Sequence, residues 1–173
     1  MNSMFYKAGT STTELDFSNF DTRKVQNMEE MFSRTAMTKL DLSSFDFQSV
    51  TSTHRMFFES GSLTEILFSP SEAPNLSTTN MMFMRCYHLE TLEFPLYNTP
   101  NLTNVSSMFW DYALYADSIS LDFSSADFDT FTTYSGMFGI PKKAKIYLKD
   151  TQTNRDFMST NFPSLTPTYV TQP

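Results

Sequence analysis

Hydrophobic and polar positions along the chain repeat with a period of about 26 residues. Each period begins with a short triplet in which two apolar residues flank a middle residue that is usually polar. The triplets start at Leu15, Leu40, Ile66, Leu92, Leu121 and Ile146, which lie 25 to 29 residues apart. This alternation predicts a β-strand whose outer residues are buried and whose middle residue is exposed. Repetition at one period predicts a solenoid, in which each repeat forms one coil of a stack.

Two further apolar positions keep a fixed distance from each triplet. An apolar residue follows the start of the triplet by ten residues, and a Met-Phe pair follows it by sixteen. The pairs are Met31-Phe32, Met56-Phe57, Met82-Phe83, Met108-Phe109 and Met137-Phe138, and Met4-Phe5 precedes them. Variation in length falls between each pair and the next triplet, as is typical of a solenoid. We therefore expect the Met-Phe pairs to form core columns, with Phe17, Phe68, Phe94 and Phe123 packed against them.

Residue types at two more offsets predict how each coil turns. Short acidic or amide side chains, which bond to nearby backbone groups in turns, recur six residues after the triplet start. They are Asp21, Asp46, Glu72, Asn98 and Asp127. Residues that favour helix N-caps recur further on, as Asn27, Ser52, Thr78, Asn104 and Thr133. We therefore expect short helical turns at the Met-Phe pairs, opposite the strands, which stacking has to stabilise.

The unit L-D-F-S-N-F-D-T-R-K-V-Q-N-M-E-E-M-F, from Leu15 to Phe32, resembles the BspA-like leucine-rich repeat of bacterial surface proteins. The resemblance extends from Met4 to about Leu148. It implies an α/β repeat, a leucine-rich-repeat-like solenoid with a parallel β-sheet of about six rungs and short helical turns on the opposite side. It also implies an extracellular location at the bacterial cell surface and an adhesion role, without shared catalytic residues.

The pattern divides the chain into three segments. We expect residues 1–148 to form the solenoid, residues 149–163 to form a C-terminal cap, and residues 164–173 to form an extended linker or tail. The first coil contains only a Met-Phe part, and the terminal coils of a solenoid need a polar cap. We therefore expect upstream repeats, another domain or a partner at the N-terminal end.

Composition narrows the classes of partner. A chain of 173 residues that is 40% hydrophobic and 18% charged has the composition of a folded domain. Its net charge of -7 disfavours nucleic acid and anionic membrane surfaces as partners. The sequence has no apolar run long enough for a transmembrane helix, so we expect no direct membrane insertion.

Signals for enzymatic chemistry are weak. His54 and His88 occupy different positions in the repeat and belong to no metal-binding motif. The single cysteine, Cys86, excludes an internal disulfide, and we expect it to be a buried, inert thiol. Four glycines leave no phosphate-binding loop. We therefore expect a protein that is not an enzyme, with no catalytic residues, no metal and no cofactor.

The middle positions of the strands form the first candidate ligand-binding surface, which we call the sheet face. They are Asp16, Asp41, Leu67, Glu93, Asp122 and Tyr147. An acidic face of this kind is able to bind a basic protein segment or a divalent cation, although calcium needs about six to eight converging oxygen ligands. The alternative is a solvated face whose aspartates bond to the following turn.

The longest loop, residues 110–120, forms the second candidate surface. It contains the only tryptophan, Trp110, together with Tyr112 and Tyr115. Aromatic side chains on a variable loop are typical of contact sites for a glycan or a protein. The alternative is that these rings cover a wider coil of the solenoid.

Together these features predict a non-enzymatic, extracellular ligand-binding or adhesion module. It would recognise a host or partner protein, or a glycan, through the sheet face and the variable loops. Two alternatives stay open: a structural spacer, and a carbohydrate-binding module within a larger surface protein.

Overall fold

The computed structural model is a stack of parallel coils. It describes residues 1–9, 15–89, 91–93, 96–115, 119–124, 126, 128–140 and 144–171. Within these residues the chain forms a parallel β-solenoid of about five turns with little helix. The predicted repeat solenoid is therefore confirmed. Phe94 and Asp127, which the sequence assigned to the core and to a turn, lie outside the described residues.

The strands are short and all of their pairings are parallel. They are β1 (Lys39–Leu42), β2 (Glu65–Phe68), β3 (Ser71–Glu72), β4 (Thr91–Glu93), β5 (Leu96–Tyr97), β6 (Ile119–Phe123), β7 (Ala144–Lys149) and β8 (Thr168–Val170). Among the described residues, β1 pairs with β2, β3 pairs with β5, and β4, β6, β7 and β8 follow one another in one sheet. Triplet starts face each other, as Leu40 faces Ile66 and Leu121 faces both Leu92 and Ile146.

The alternation within the strands follows the prediction. In β1, Leu40 and Leu42 are buried and Asp41 between them is exposed. The same order of buried and more accessible positions recurs in β6 and β7. The first triplet differs, because residues 15–17 are not assigned to a strand, although Phe17 is buried in the core.

The segments at the Met-Phe pairs form β-turns rather than the short helical turns predicted from the N-cap residue types. We call these segments the turn ribbon; they comprise residues 3–8, 28–35, 53–60, 79–86, 105–112 and 134–139. In one segment the Met56 N–H donates to Thr53 O three residues back, whereas the Phe57 N–H donates to Met82 O in the next coil. Bonds within the coil thus alternate with bonds between coils.

Backbone conformation explains why the ribbon is not helical. Arg55 has φ 54° and Glu59 has φ 56°, and the equivalent residues of neighbouring coils are also left-handed. A left-handed residue at every fourth position interrupts a right-handed helix and turns alternate N–H groups towards the next coil. Those N–H groups then find carbonyl partners between coils, as buried backbone groups require.

The residues expected to be helix N-caps instead begin each ribbon segment. Asn27, Ser52, Thr78, Asn104 and Thr133 form one column of parallel bridges between coils. The side-chain oxygen of Asn27 accepts the Glu29 N–H at 2.8 Å, and the first four members of the column all bond in this way to the residue two positions later. This is the local geometry of an Asx or Ser/Thr turn, which uses the same residue types as an N-cap.

Aromatic rings form the centre of the core. The phenylalanines of the Met-Phe pairs form a column of stacked rings, Phe5, Phe32, Phe57, Phe83, Phe109 and Phe138, with centroids 5.3 to 6.1 Å apart and planes 3° to 9° from parallel. Phe17, Phe68 and Phe123 pack edge-on against this column at 81° to 85°. The methionines of five of the pairs, Met31, Met56, Met82, Met108 and Met137, are buried beside it. The predicted core columns are confirmed at the described positions with the exception of Met4, which is 52% exposed.

One helix, α1 (Gln152–Asn161), lies in the segment predicted to be the C-terminal cap. Its buried Asn154 accepts the Phe128 N–H at 3.1 Å and donates to Ala126 O and Lys149 O. The ring of Phe157 contacts Tyr134 of the last ribbon segment. α1 therefore covers the end of the core and satisfies backbone groups of the last coil.

The segment expected to be an extended linker or tail contains a strand. Thr168 of β8 is the partner of Tyr147 in β7, so β8 continues the sheet beyond the last predicted triplet. The β-branched and aromatic residues of β8 favour a strand. The Arg155 guanidinium also lies 4.2 Å from the centre of the Tyr169 ring, which ties β8 to α1.

Replacing Phe57 by alanine should lower the free energy of unfolding by about 3 to 5 kcal/mol, because the ring is fully buried in the middle of the phenylalanine column. The matched control is Phe58→Ala, since Phe58 is only half-buried beside Arg34 and Arg55 and should contribute about 1 kcal/mol. Urea denaturation followed by circular dichroism measures both. Equal losses for the two variants would contradict the assignment of the column as the centre of the core.

Candidate ligand-binding surfaces

Five of the sheet-face residues face one another across neighbouring strands, in two separate groups. Asp41 faces Leu67 across β1 and β2, while Asp122 faces both Glu93 and Tyr147 across β4, β6 and β7. Asp16 lies one repeat before Asp41, outside the assigned strands. The structure thus brings five of the six residues into strand register.

The aspartates of the sheet face are engaged in the following turn. Asp16 accepts the Ser18 N–H at 2.8 Å, Asp41 accepts the Ser43 N–H at 3.0 Å, and Asp122 accepts the Ser124 N–H at 2.8 Å. The hydrogen bonds from Ser43 lower the pKa of Asp41, while the negative charge of Asp16 acts in the opposite direction. Hydrogen bonds from Ser18 likewise lower the pKa of Asp16, so both carboxylates are ionised at neutral pH.

A groove of about 240 Å³ lies at the end of the sheet face that contains β1 and β2. Its lining residues are Leu15, Lys39, Leu40, Asp41, Glu65 and Leu67. Leu67 is 49% exposed and Leu15 is 37% exposed, so apolar surface is open to solvent on both sides of Asp41. Lys39 Nζ forms an ion pair with Glu65 Oε2 at 2.7 Å along the edge. The groove therefore combines apolar walls with acidic groups.

Trp110 covers the next coil. Its indole lies against the backbone of Gly136 and Gly139, where a Cβ atom would come within 2.8 and 2.9 Å of Trp110 Cε3. Gly136 also has φ +68°, at the repeat position where Ser107 is left-handed in the preceding coil. The ring is still 45% exposed, so one face packs on the solenoid and the other is open to solvent.

Tyr112 and Tyr115 lie in different environments. Tyr112 is fully buried, with its ring edge-on to Phe109 at 5.3 Å, and therefore belongs to the core rather than to the surface of the loop. Its hydroxyl has no hydrogen-bond partner among the described residues, and burial raises its pKa well above the ordinary value. Tyr115 is 69% exposed. A ligand on this loop would thus contact Tyr115 and Trp110 but not Tyr112.

Two residues that sequence reasoning did not assign to a surface join Tyr115. The Tyr87 ring lies 5.5 Å from the Tyr115 ring, and the His88 ring lies 5.8 Å from it. We call Tyr87, His88 and Tyr115 the aromatic patch. The sequence does contain a signal for it, since Tyr87 and Tyr115 are separated by about one repeat and such residues stack in neighbouring coils.

An ion-pair column on the turn ribbon was also missed. Arg34 Nε lies 2.8 Å from Glu59 Oε2, Arg85 Nη1 lies 2.7 Å from Glu59 Oε1, and Arg85 Nε lies 3.5 Å from Asp111 Oδ2. Alternating charges at intervals of about one repeat are its sequence signal. Because these charges neutralise one another, the column offers neither a basic nor an acidic site.

The described residues contain no group of three or more histidine, cysteine or acidic side chains that could hold a metal ion. Cys86 is buried, as expected, and its thiol donates to Phe57 O at 3.2 Å. Burial raises the pKa of the thiol, which keeps it protonated.

The fold and these surfaces define a repeat protein of the parallel β-solenoid class. A known family, described as Mycoplasma protein of unknown function, DUF285, matches residues 1–87 and again residues 69–151. The two matches together cover most of the chain, so the protein belongs to this family. No curated protein and no solved structure matches it. Both matched ranges end before α1 and β8.

Replacing Trp110 by alanine should lower the free energy of unfolding by about 2 kcal/mol, because roughly half of a large ring packs against the next coil. Tyr115→Ala is the matched control and should change it by less than about 0.5 kcal/mol, since Tyr115 is mostly exposed. Urea denaturation measures both values. An unchanged free energy of unfolding in Trp110→Ala would contradict the conclusion that packing of the indole on the next coil stabilises the fold.

Proposed function

We propose that this protein is a non-enzymatic ligand-binding or adhesion module that acts outside a bacterial cell and recognises a partner protein through the sheet face. The BspA-like pattern of the repeats supports both the cell-surface location and the adhesion role. The description of the DUF285 family assigns no function. The proposal therefore depends mainly on the geometry of the exposed surfaces.

The groove at β1 and β2 is the observation that carries the proposal. Leu67 occupies an outward position that is acidic in most other repeats, and it is 49% exposed. A single exposed leucine is common on protein surfaces, but here it lines a groove together with exposed Leu15 and charged Asp41. Apolar walls with a few fixed polar groups are characteristic of binding sites.

The location follows from the resemblance to secreted and surface-anchored proteins. Within the part of the chain that the structure describes, no helix is long and apolar enough to cross a membrane. Labelling of intact cells with an antibody against the solenoid tests the location. Labelling only after the cells are made permeable would overturn it.

Binding is tested with purified protein and a panel of immobilised extracellular-matrix proteins. Leu67→Ala should weaken binding to the recognised protein by about fivefold, the loss expected when roughly half a leucine side chain no longer contributes apolar contact. Met4→Ala is the matched control, because Met4 is also about half exposed but lies on the turn ribbon. Failure to bind any member of the panel above an unrelated protein would favour a structural spacer instead.

A glycan is a second candidate ligand, and the aromatic patch is the observation that favours it. Tyr115 is 69% exposed and contacts two further rings, and aromatic rings offer apolar faces of the size of a sugar. This version corresponds to a carbohydrate-binding module within a larger surface protein.

On a glycan array, the wild-type protein should give signals that Tyr115→Ala abolishes. Tyr6→Ala is the control, because Tyr6 is an exposed tyrosine on the turn ribbon away from the patch. Array signals that are equal in both variants, or absent from the wild type, would contradict glycan recognition by the aromatic patch.

A further inference from the structure

We infer that the groove at β1 and β2 accepts an extended segment of a partner protein that presents basic and apolar side chains alternately along one face. The inference rests on the proposed function, because it names the chemistry of the partner for the same surface. Three properties of the groove lead to it: its apolar walls, its ionised carboxylates and the spacing between them.

The apolar walls of the groove favour contact with an apolar side chain of the partner. Leu15 and Leu67 are both partly exposed, and the buried Leu40 lies between them in the lining of the groove. A volume of about 240 Å³ is large enough for one or two side chains but smaller than a typical small-molecule site. These dimensions favour side chains of a protein segment over a bulky ligand.

The carboxylates at the groove favour pairing with a basic side chain of the partner. Asp41 lines the groove and Asp16 lies one repeat before it; both are exposed, and each has one carboxylate oxygen fixed by the N–H of the following serine turn. Ordering of these carboxylates before binding lowers the entropy lost when a cation pairs with them. Lys39 is engaged by Glu65 at 2.7 Å, so this pair adds no net charge to the groove. The net charge of -7 of the whole chain attracts a basic segment from a distance.

The spacing fits an extended chain. Neighbouring rungs of a parallel sheet are about 4.8 Å apart, so Leu67 lies about one rung beyond Asp41. Asp16 lies one repeat before Asp41, outside the assigned strands. Alternate side chains of an extended segment are separated by about 7 Å. A basic side chain that pairs with Asp41 from the side of Asp16 therefore places the side chain two residues later, on the same face of the segment, close to Leu67, where an apolar side chain fits.

A divalent cation fits the groove less well than a basic side chain. Calcium needs about six to eight oxygen ligands, and the described residues hold no cluster of three or more potential metal ligands. A cation would also leave exposed Leu15 and Leu67 without contacts. A segment that carries both chemistries uses the charged and the apolar parts of the groove together.

The probes are three fluorescently labelled peptides of about eight residues in which serine occupies every second position, so that the other residues share one face. They are repeats of Lys-Ser-Leu-Ser, Glu-Ser-Leu-Ser and Lys-Ser-Gly-Ser, called the Lys-Leu, Glu-Leu and Lys-Gly peptides. Fluorescence anisotropy with the intact protein should show binding of the Lys-Leu peptide, and the other two should bind at least about fivefold more weakly. Raising the salt concentration from about 50 mM to about 500 mM should lower the affinity for the Lys-Leu peptide at least about threefold, since salt screens exposed charges.

Substitutions of groove residues test whether the peptide binds in the groove. Asp41→Asn should weaken the Lys-Leu peptide by about twofold to fivefold, the range of one exposed ion pair, while the asparagine oxygen still accepts the Ser43 N–H. Asp129→Asn removes the same charge from an exposed residue elsewhere and should have no effect. Leu67→Ala should weaken binding of the peptide by about fivefold, and the control Met4→Ala should not. Equal effects of Asp41→Asn and Asp129→Asn, or a Glu-Leu peptide as tight as Lys-Leu, would overturn the inference.

The two proposals fail in different ways. If a matrix protein binds and Leu67→Ala weakens it, but the Lys-Leu peptide does not bind, the partner chemistry is wrong and the proposed function stands. If the peptide binds with the expected variant effects while no panel protein binds, the partner chemistry is supported. If neither binds, both proposals are overturned.

Discussion

Hydrogen bonds between successive coils of the turn ribbon are the constraint on which the rest of the structure depends. Between the third and fourth segments, the N–H groups of Thr53, Arg55, Phe57 and Glu59 donate to the next coil at 2.9 to 3.1 Å, and each of the other junctions repeats the pattern. Bonds of this kind hold neighbouring coils close to the spacing of a parallel sheet. Every side chain at a given repeat position therefore lies directly over its equivalent in the next coil. The phenylalanine column and the buried methionines follow from this constraint.

Because equivalent positions lie over one another, like charges at one repeat position repel each other. The chain reduces the cost of this repulsion in two ways. On the turn ribbon the charges alternate, so Glu59 lies between Arg34 and Arg85. On the sheet face, where Asp16 and Asp41 repel each other, the serine turns stabilise each ionised carboxylate instead. The ribbon also contains left-handed residues that are not glycine, which cost about 1 to 2 kcal/mol each in isolation. The bonds between coils and the packed aromatic core offset that cost.

The parts of the fold that could be predicted from the sequence are those that many coils repeat. The period, the inward and outward strand positions and the Met-Phe core depend on one contact made several times. The β-turn ribbon could not be distinguished from helical turns, because residues such as Asn27 cap both structures and the left-handed Arg55 carries no glycine signal. The strand register of the sheet face could be predicted from the repeat. The packing of Trp110 could not, because it depends on two glycines of another coil, and β8 could not, because it belongs to no repeat.

This division between repeated and unrepeated features bears on where binding arises. Because backbone bonds and buried rings fix the scaffold, outward positions are free to vary without disturbing the stack. The third repeat uses that freedom: its outward position is Leu67, where Asp16 and Asp41 precede it. A uniform acidic face would attract any cation through charge alone, with little discrimination. One apolar residue next to two fixed carboxylates would favour a partner that places apolar and basic groups a set distance apart, so in the proposed binding role selectivity would arise where the repeat is broken.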